Sequence, residues 1–197
     1  MNFLGHCFLS RKEKETISGN LAGDFFKGDL SKFKKTPSNI IKGIEIHRYI
    51  DSTTDNSPLI QEAAHLLQDN GIKRISFIAT DIILDHYLAK KWNKYSSRNL
   101  NKFIQKSYHL TDKDIEHFPS EFEKMFTQMK KHDWLSRYKY EEGIDLILHK
   151  FSTKIPFQNN LYDAFEAYLF NKKKMDKLFK QFLKEIDKSV TKEFKLK

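Results

Sequence analysis

Six acidic or imidazole side chains interrupt stretches that otherwise repeat apolar residues at helical spacing. Burying an unpaired ionised carboxylate costs several kcal/mol, so each of these groups needs a partner. Carboxylate and imidazole ligands without a thiolate suit Mn, Mg, Fe or Zn in a hydrolytic site better than a structural cysteine-zinc site. The pattern therefore predicts a divalent metal among Asp24, His47, Asp51, Asp81, Asp85 and His86.

A helix that begins near Pro37 is predicted to place two of these side chains together. Ile40, Ile44, His47 and Asp51 follow one another at steps of four, three and four residues, which puts them on one helical face. Four residues advance about 400° on a turn of about 3.6 residues, so His47 and Asp51 lie about 40° apart. Metal-binding pairs on helices have this spacing.

Two further segments carry the other candidates. Asp81 and Asp85 share a helical face with apolar residues, and His86 lies at the shoulder of that face. Asp24 follows Asn20 by one turn in another apolar stretch. The three segments can thus converge on one site.

A structural role is the alternative for each of these residues. His47 can form hydrogen bonds within a core, and Asp51 can cap a following turn. Asp81 and Asp85 can form salt bridges with Arg48 or other cations. Such roles are common for single residues, whereas a metal accounts for the whole set.

The length and composition predict one all-α domain. A chain of 197 residues is long enough for a single domain with a buried core. It has only seven Gly and four Pro, and its Leu, Ile, Phe, Lys and Glu recur at helical spacing. We expect a single-domain helical bundle over residues 1–188, followed by a basic C-terminal tail over residues 189–197.

The chain lacks the sequence signals of a membrane or secreted protein. No segment has the roughly 18 uninterrupted apolar residues of a membrane span, and residues 1–6 do not resemble a signal peptide. The single Cys7 cannot form an internal disulfide, and its apolar neighbours predict a small buried hydrophobe. We therefore expect a soluble, cytoplasmic protein with no membrane partner.

The net charge of +9 is concentrated near the C-terminus. Residues 172–197 hold ten Lys against four acidic residues, a balance of +6. This face is either simply solvated or attracts an acidic partner, and long-range charge alone does not choose between nucleic acid, anionic lipid and acidic protein. Nucleic acid is disfavoured because Arg is scarce relative to Lys and no nucleic-acid motif is recognisable.

Five blocks of the sequence, in order from residue 1 to about 186, are familiar. They are Met1–His6 (MNFLGH), Gly19–Phe25 (GNLAGDF), Gly43–Asp55 (GIEIHRYIDSTTD), Asp85–Ala89 (DHYLA) with Trp92, and Asp133–Leu135 (DWL) with Tyr138. In these blocks the chain resembles the acyl carrier protein phosphodiesterases, also called acyl carrier protein phosphohydrolases.

The resemblance implies a divergent all-helical fold related to the HD-domain phosphohydrolases. It implies metal-dependent hydrolysis, usually supported by Mn, of the phosphodiester that joins 4'-phosphopantetheine to a serine of holo-acyl carrier protein. A basic surface is what such an acidic carrier protein would meet. The chain has no glycine-rich phosphate loop, so this chemistry would rely on metal ions and basic side chains.

The resemblance also implies roles for individual residues. The expected metal ligands are Asp24, His47, Asp51, Asp85 and His86. His6 and Asp81 are expected to transfer a proton or to orient the ligands. Arg48 is expected either to contact the phosphate or to anchor a structural carboxylate.

Two other functions are compatible with these residues. The same metal site can serve an HD-like phosphohydrolase that acts on a nucleotide or another phosphorylated small molecule. Alternatively, the chain is a non-enzymatic helical module that binds acyl carrier protein or RNA through its lysines, and the acidic and imidazole residues are only structural.

Overall fold

Ten α-helices form the part of the chain that the computed structural model describes, residues 1–196. Among these residues there is no β-strand, which confirms the prediction of an all-α protein. The helices are α1 Phe3–Leu9, α2 Ile17–Ala22, α3 Ser38–Asp55, α4 Pro58–Asp69, α5 Ser76–Lys90, α6 Leu100–Lys113, α7 Ser120–Lys131, α8 Trp134–Arg137, α9 Glu141–Ser152 and α10 Ala164–Glu193.

The helices begin where the local sequence favours a start. Pro58 occupies the first turn of α4, where its missing N–H costs nothing. The side chain of Asn99 accepts a hydrogen bond from the Lys102 N–H at 3.2 Å and so caps α6. Pro37 precedes α3 in an extended conformation, as the residue before a helix commonly does.

One hydrophobic core runs through the bundle, and α5 lies within it. Every residue of α5 from Ile82 to Ala89 is buried, because α1, α4, α9 and α10 pack around this helix. Helix α3 packs along α2 through its apolar face, where Ile40 and Ile44 are completely buried. Truncating one such isoleucine to alanine typically costs about 2–5 kcal/mol.

This packing brings the chemistry-bearing segments together. Helix α1 lies against both α2 and α5, and α3 lies against α2 and the 3₁₀ turn Gly23–Phe25 that follows it. The faces that carry His6, Asp24, His47 and Asp81 therefore meet at one end of the core.

Helix α10 continues beyond the predicted domain boundary at residue 188 and ends at Glu193. Val190 is completely buried, and the Thr191 hydroxyl donates a hydrogen bond to the Asp187 carbonyl at 2.6 Å. Arg11 also holds this end of the helix through two hydrogen bonds to the Asp187 carboxylate, at 2.7 and 2.8 Å. The apolar face therefore extends further than the lysine-rich sequence indicates.

None of the helices in residues 1–196 combines the length and the apolar character needed to cross a membrane.

Candidate metal centre

Two histidines and one aspartate bring their ligand atoms together at the junction of α1 and α3. His6, His47 and Asp51 each offer one ligand atom, and these atoms lie within 4.8 Å of one another. Nε2 of His6 is 3.1 Å from Oδ1 of Asp51, and Nε2 of His47 is 3.0 Å from Oδ2. The two imidazole rings stack with their centroids 4.1 Å apart. We call these three residues the His–His–Asp cluster.

Asn20 of α2 fixes the proton positions on both imidazoles. Nδ1 of His6 is 2.8 Å from Oδ1 of Asn20, and Nδ1 of His47 is 2.8 Å from the Asn20 carbonyl oxygen. Both oxygens can only accept, so each Nδ1 carries the proton and donates. The Asn20 amide is itself held, because its Nδ2 donates to the His6 carbonyl at 2.9 Å and to Ser10 Oγ at 2.7 Å.

The remaining nitrogen of each neutral imidazole therefore presents a lone pair to Asp51. Nε2 of His47 is buried and has no hydrogen-bond partner among the described residues, because its geometry to the nearby carboxylates does not suit a hydrogen bond. Lone pairs and a carboxylate that face one another repel unless a cation or a proton lies between them. The donor set of two imidazoles and one carboxylate, each imidazole oriented by an oxygen behind it, fits a divalent metal.

The pKa shifts favour a positive charge on His47 and a negative charge on Asp51. Burial lowers the pKa of His6, and His47 lowers it further. Burial by itself also lowers the pKa of His47, but Asp24 and Asp51 outweigh it and raise this pKa to about 9. Burial opposes ionisation of Asp51, yet the two imidazoles hold its pKa far below the usual range. Without a metal, a proton on His47 balances the carboxylates.

Asp24 lies at the mouth of the cluster, where it can serve as a further oxygen ligand. Its Oδ1 is 3.5 Å from Nε2 of His47, and its side chain is 65% exposed. The nearby imidazole of His47 lowers the pKa of Asp24, which keeps this carboxylate ionised. Gly23 allows the approach, because a Cβ at this position would lie 2.2 Å from Cγ of His47.

Asp81 of α5 lines the same cavity as the cluster. Its Oδ1 is 2.7 Å from the N-terminal ammonium of Met1, which is fully buried. The carboxylate is therefore oriented by an ion pair at the edge of the cluster.

Asp85 lies one turn further along α5 and is not part of the cluster. Its completely buried carboxylate accepts hydrogen bonds from the backbone N–H groups of Leu4 at 2.7 Å and Gly5 at 3.1 Å, so it satisfies the N-terminus of α1. Burial raises the pKa of Asp85 to about 7, against the effect of these amides. The structure therefore does not place Asp85 with the other predicted ligands, because its carboxylate already binds the backbone of α1.

His86 lies on a different face of α5, away from the cluster. Its Nδ1 donates to the Tyr138 carbonyl at 2.7 Å, and its ring packs edge-on against Phe165 and Tyr168. Its Nε2 is buried without a hydrogen-bond partner among the described residues. The structure therefore does not bring His86 together with the other predicted ligands.

Arg48 anchors the backbone that follows Asp24. Its guanidinium donates to the carbonyl oxygens of Phe26 and Gly28, each at 2.8 Å. Of the two roles expected from the sequence, the structure shows an anchoring one, although the acceptors are carbonyls and not a carboxylate.

A comparison with known sequences identifies the family of this chain. The sequence model described as acyl carrier protein phosphodiesterase matches residues 1–186. The chain belongs to the acyl carrier protein phosphodiesterase family.

Curated relatives cover nearly the whole chain. A protein named acyl carrier protein phosphodiesterase from Photorhabdus laumondii is 30% identical over 183 residues, which are 92% of this chain and 91% of that protein. Its namesake from Pectobacterium atrosepticum is 29% identical over 183 residues, or 92% and 93% of the two chains. No solved structure matches the chain, so the relation to HD-domain phosphohydrolases stays a prediction.

In this family member the cluster is open on two sides. One cavity is lined by the cluster together with Asp81 and Phe151. The other opens past Asp24 toward Lys27 and Arg48. A ligand at the cluster therefore has space on two sides.

Asn20 is the residue of this candidate site that the sequence did not identify. The sequence marks it only as the residue one turn before Asp24, within an apolar stretch. An amide buried on a helix next to predicted ligands is the available signal, since a buried amide must find hydrogen-bond partners. Its pairing with two histidines from other helices depends on the tertiary packing.

Proposed function

We propose that this protein is a metal-dependent phosphodiester hydrolase that removes 4'-phosphopantetheine from the serine of holo-acyl carrier protein. The products are apo-acyl carrier protein and 4'-phosphopantetheine. Family membership supports the substrate, since the relatives carry the name acyl carrier protein phosphodiesterase. The observation that carries the metal dependence is the convergence of two tautomer-fixed imidazoles on Asp51.

The cluster residues are proposed to hold the ion, with Mn favoured and Mg, Fe or Zn as alternatives. His6 Nε2, His47 Nε2 and Asp51 form the ligand set, and Asp24 adds an oxygen at the mouth. When bound, such an ion neutralises a phosphoryl oxygen and lowers the pKa of a water. This assignment moves His6 from the expected proton-transfer role to that of a ligand.

Other side chains are proposed to position the substrate and to move a proton. Asp81 lies in the same cavity, and its carboxylate has a second oxygen that can accept a proton from an attacking water. Asn20 keeps both Nε2 lone pairs pointing inward throughout the reaction. Lys27 and Arg48 keep positive charge beside the outer opening, where an anionic substrate enters.

The partner is proposed to be the acidic carrier protein itself. The net charge of +9 favours encounter with an acidic protein and raises its association rate. We propose that the reaction takes place in the cytoplasm, with neither nucleic acid nor a membrane as a partner.

Intact-protein mass spectrometry of holo-acyl carrier protein tests this function. With Mn, we expect the carrier to lose one 4'-phosphopantetheine unit, and we expect a chelator to prevent the loss. Asp51→Asn removes a ligand and should abolish the reaction, whereas Asp55→Asn, one turn along the same helix and outside the cluster, should not.

Two outcomes would contradict the proposal. An unchanged carrier mass with folded, Mn-loaded protein would exclude the proposed substrate and favour a phosphorylated small molecule. Full activity of Asp51→Asn would exclude the cluster as the metal site.

A further inference from the structure

A second cavity lies beside the candidate metal centre, where α1 meets α8 and α9. Phe3 and Phe151 line both this cavity and the one that contains the cluster, so the two cavities are adjacent at these side chains. The walls of the second cavity are mainly apolar and aromatic, and we call this cavity the aromatic groove. These walls are formed by Phe3, Trp134, Tyr138, Leu146, Ile147 and Phe151.

Cationic side chains lie along the rim of the aromatic groove. Arg137, Lys150 and Lys154 complete its lining. Nζ of Lys154 is 5.8 Å from the Trp134 ring centroid and 5.7 Å from that of Phe151, so this ammonium lies over both aromatic walls. The groove therefore combines apolar walls with a few hydrogen-bond donors at its edge, as ligand sites commonly do.

We propose that the aromatic groove binds the pantetheine arm of the substrate, while the carrier protein lies at the opposite opening beside Lys27 and Arg48. The assignment rests on the proposed function. A phosphodiester at the cluster carries the arm on one side and the serine on the other. The two sides of the cluster differ in the same way, because one adjoins an apolar groove and the other a polar mouth.

The chemistry of the arm matches the groove. A pantetheine arm is a slender chain of methylenes, geminal methyl groups and amides, and it carries no charge of its own. Its methyl and methylene groups gain from burial against Leu146 and Phe151. Its amide carbonyls only accept hydrogen bonds, and Lys150 and Lys154 only donate them. A folded acidic protein is too bulky for the groove but can meet the cations of the open mouth.

Trp134 provides a direct optical test, because it lies in the groove and is half-buried. The chain has two tryptophans. The other, Trp92, is buried against Phe8 and Phe103, and its indole N–H donates to the Arg98 carbonyl at 2.6 Å. A ligand-induced change in emission that Trp134→Phe removes therefore reports on the groove.

The experiment titrates the Mn-loaded protein with 4'-phosphopantetheine, with pantetheine and with inorganic phosphate. We expect both pantetheine compounds to change the Trp134 emission and inorganic phosphate to leave it unchanged. Lys150→Ala/Lys154→Ala should weaken binding of pantetheine about tenfold, which equals about 1.4 kcal/mol. The matched control is Lys124→Ala/Lys131→Ala, which removes two exposed lysines of α7 outside the groove and should bind like the wild type.

The same two double variants are then compared on holo-acyl carrier protein. The groove variant should raise KM about tenfold, because an arm that is held less tightly lowers the affinity for the whole substrate. An emission change with inorganic phosphate alone, or equal pantetheine affinity in both double variants, would overturn the assignment. If the wild-type protein leaves holo-carrier intact, the proposed function fails, and the pantetheine titration still decides what the groove binds.

Discussion

At the residue scale, Asn20 explains why two histidines from different helices can act as one ligand pair. Its side-chain oxygen and its carbonyl each accept from one Nδ1, and together they turn both Nε2 atoms toward Asp51. Groups that orient metal-bound histidines typically change metal affinity 10–100-fold when they are removed. In the proposed metal site, Asn20 is thus a positioning residue and not itself a ligand.

Asn20→Ala should lower the affinity for Mn by about 10–100-fold, because His6 loses its acceptor and both imidazoles gain freedom. Isothermal titration calorimetry measures this change, with the exposed Asn93→Ala as the matched control. Unaltered Mn binding in a folded Asn20→Ala protein would show that the tautomers do not need this support.

Asp51 and Asp85 should respond in opposite ways to the same substitution. Asp85→Asn weakens the hydrogen bonds to the α1 backbone and should lower the free energy of unfolding by about 1–3 kcal/mol without loss of bound metal. Asp51→Asn should lose the metal, and the metal-free protein should lose less stability than Asp85→Asn does, because Asp51 is only partly buried. Urea unfolding in chelator and metal analysis separate the two, and loss of metal from a folded Asp85→Asn protein would restore Asp85 as a ligand.

The sequence predicts which residues of one helix share a face, but it does not predict which neighbours they meet in the fold. The spacing of His47 and Asp51 lies within one helix, so helical geometry alone predicts that they share a site. Asp81 and Asp85 also share a face, as predicted, but they meet different partners along it: the cluster cavity and the N-terminus of α1. Which neighbour a buried carboxylate meets depends on tertiary packing, which the spacing does not contain.

At the scale of the elements, α10 is longer and more firmly packed than its lysine-rich sequence indicates. The sequence places a boundary at residue 188 because charge dominates beyond it. The structure shows that Val190 is buried and that Tyr49 Oη lies 2.6 Å from Ser189 Oγ. One buried side chain and one hydrogen bond therefore hold the end of α10 against the bundle despite its charged composition.

Val190→Ala should lower the free energy of unfolding by about 1–3 kcal/mol, because it removes buried methyl groups from a packed site. Lys188→Ala, an exposed change two residues earlier, should alter stability by no more than about 0.5 kcal/mol. Urea unfolding compares the two. Equal stability of both variants with the wild type would mean that the end of α10 is a dispensable tail.

At the scale of the whole molecule, sequence composition was sufficient for the fold class but not for the site. Few Gly and Pro and a recurring helical spacing predict the all-α bundle that the structure confirms. The aromatic groove could not be predicted, because its walls combine α1 with α8 and α9, which lie much further along the chain. The excess of lysine is visible in the sequence, and it is the basis for the proposed attraction to an acidic carrier protein.

Raising the salt concentration from about 50 to about 300 mM should increase KM for the carrier protein several-fold and leave kcat nearly constant, because screening weakens long-range attraction and not the chemical step. Steady-state kinetics with holo-acyl carrier protein measure this. A KM that is independent of salt would show that the charge of +9 does not serve carrier recognition.

The central claim is that one metal ion binds between His6, His47 and Asp51. A crystal grown with Mn and measured for anomalous scattering at the Mn absorption edge tests it most directly. The account predicts one strong peak within about 2.0–2.3 Å of His6 Nε2, His47 Nε2 and an Asp51 oxygen. A peak on Asp85 or His86 instead, or no peak in a protein that hydrolyses its substrate, would contradict it.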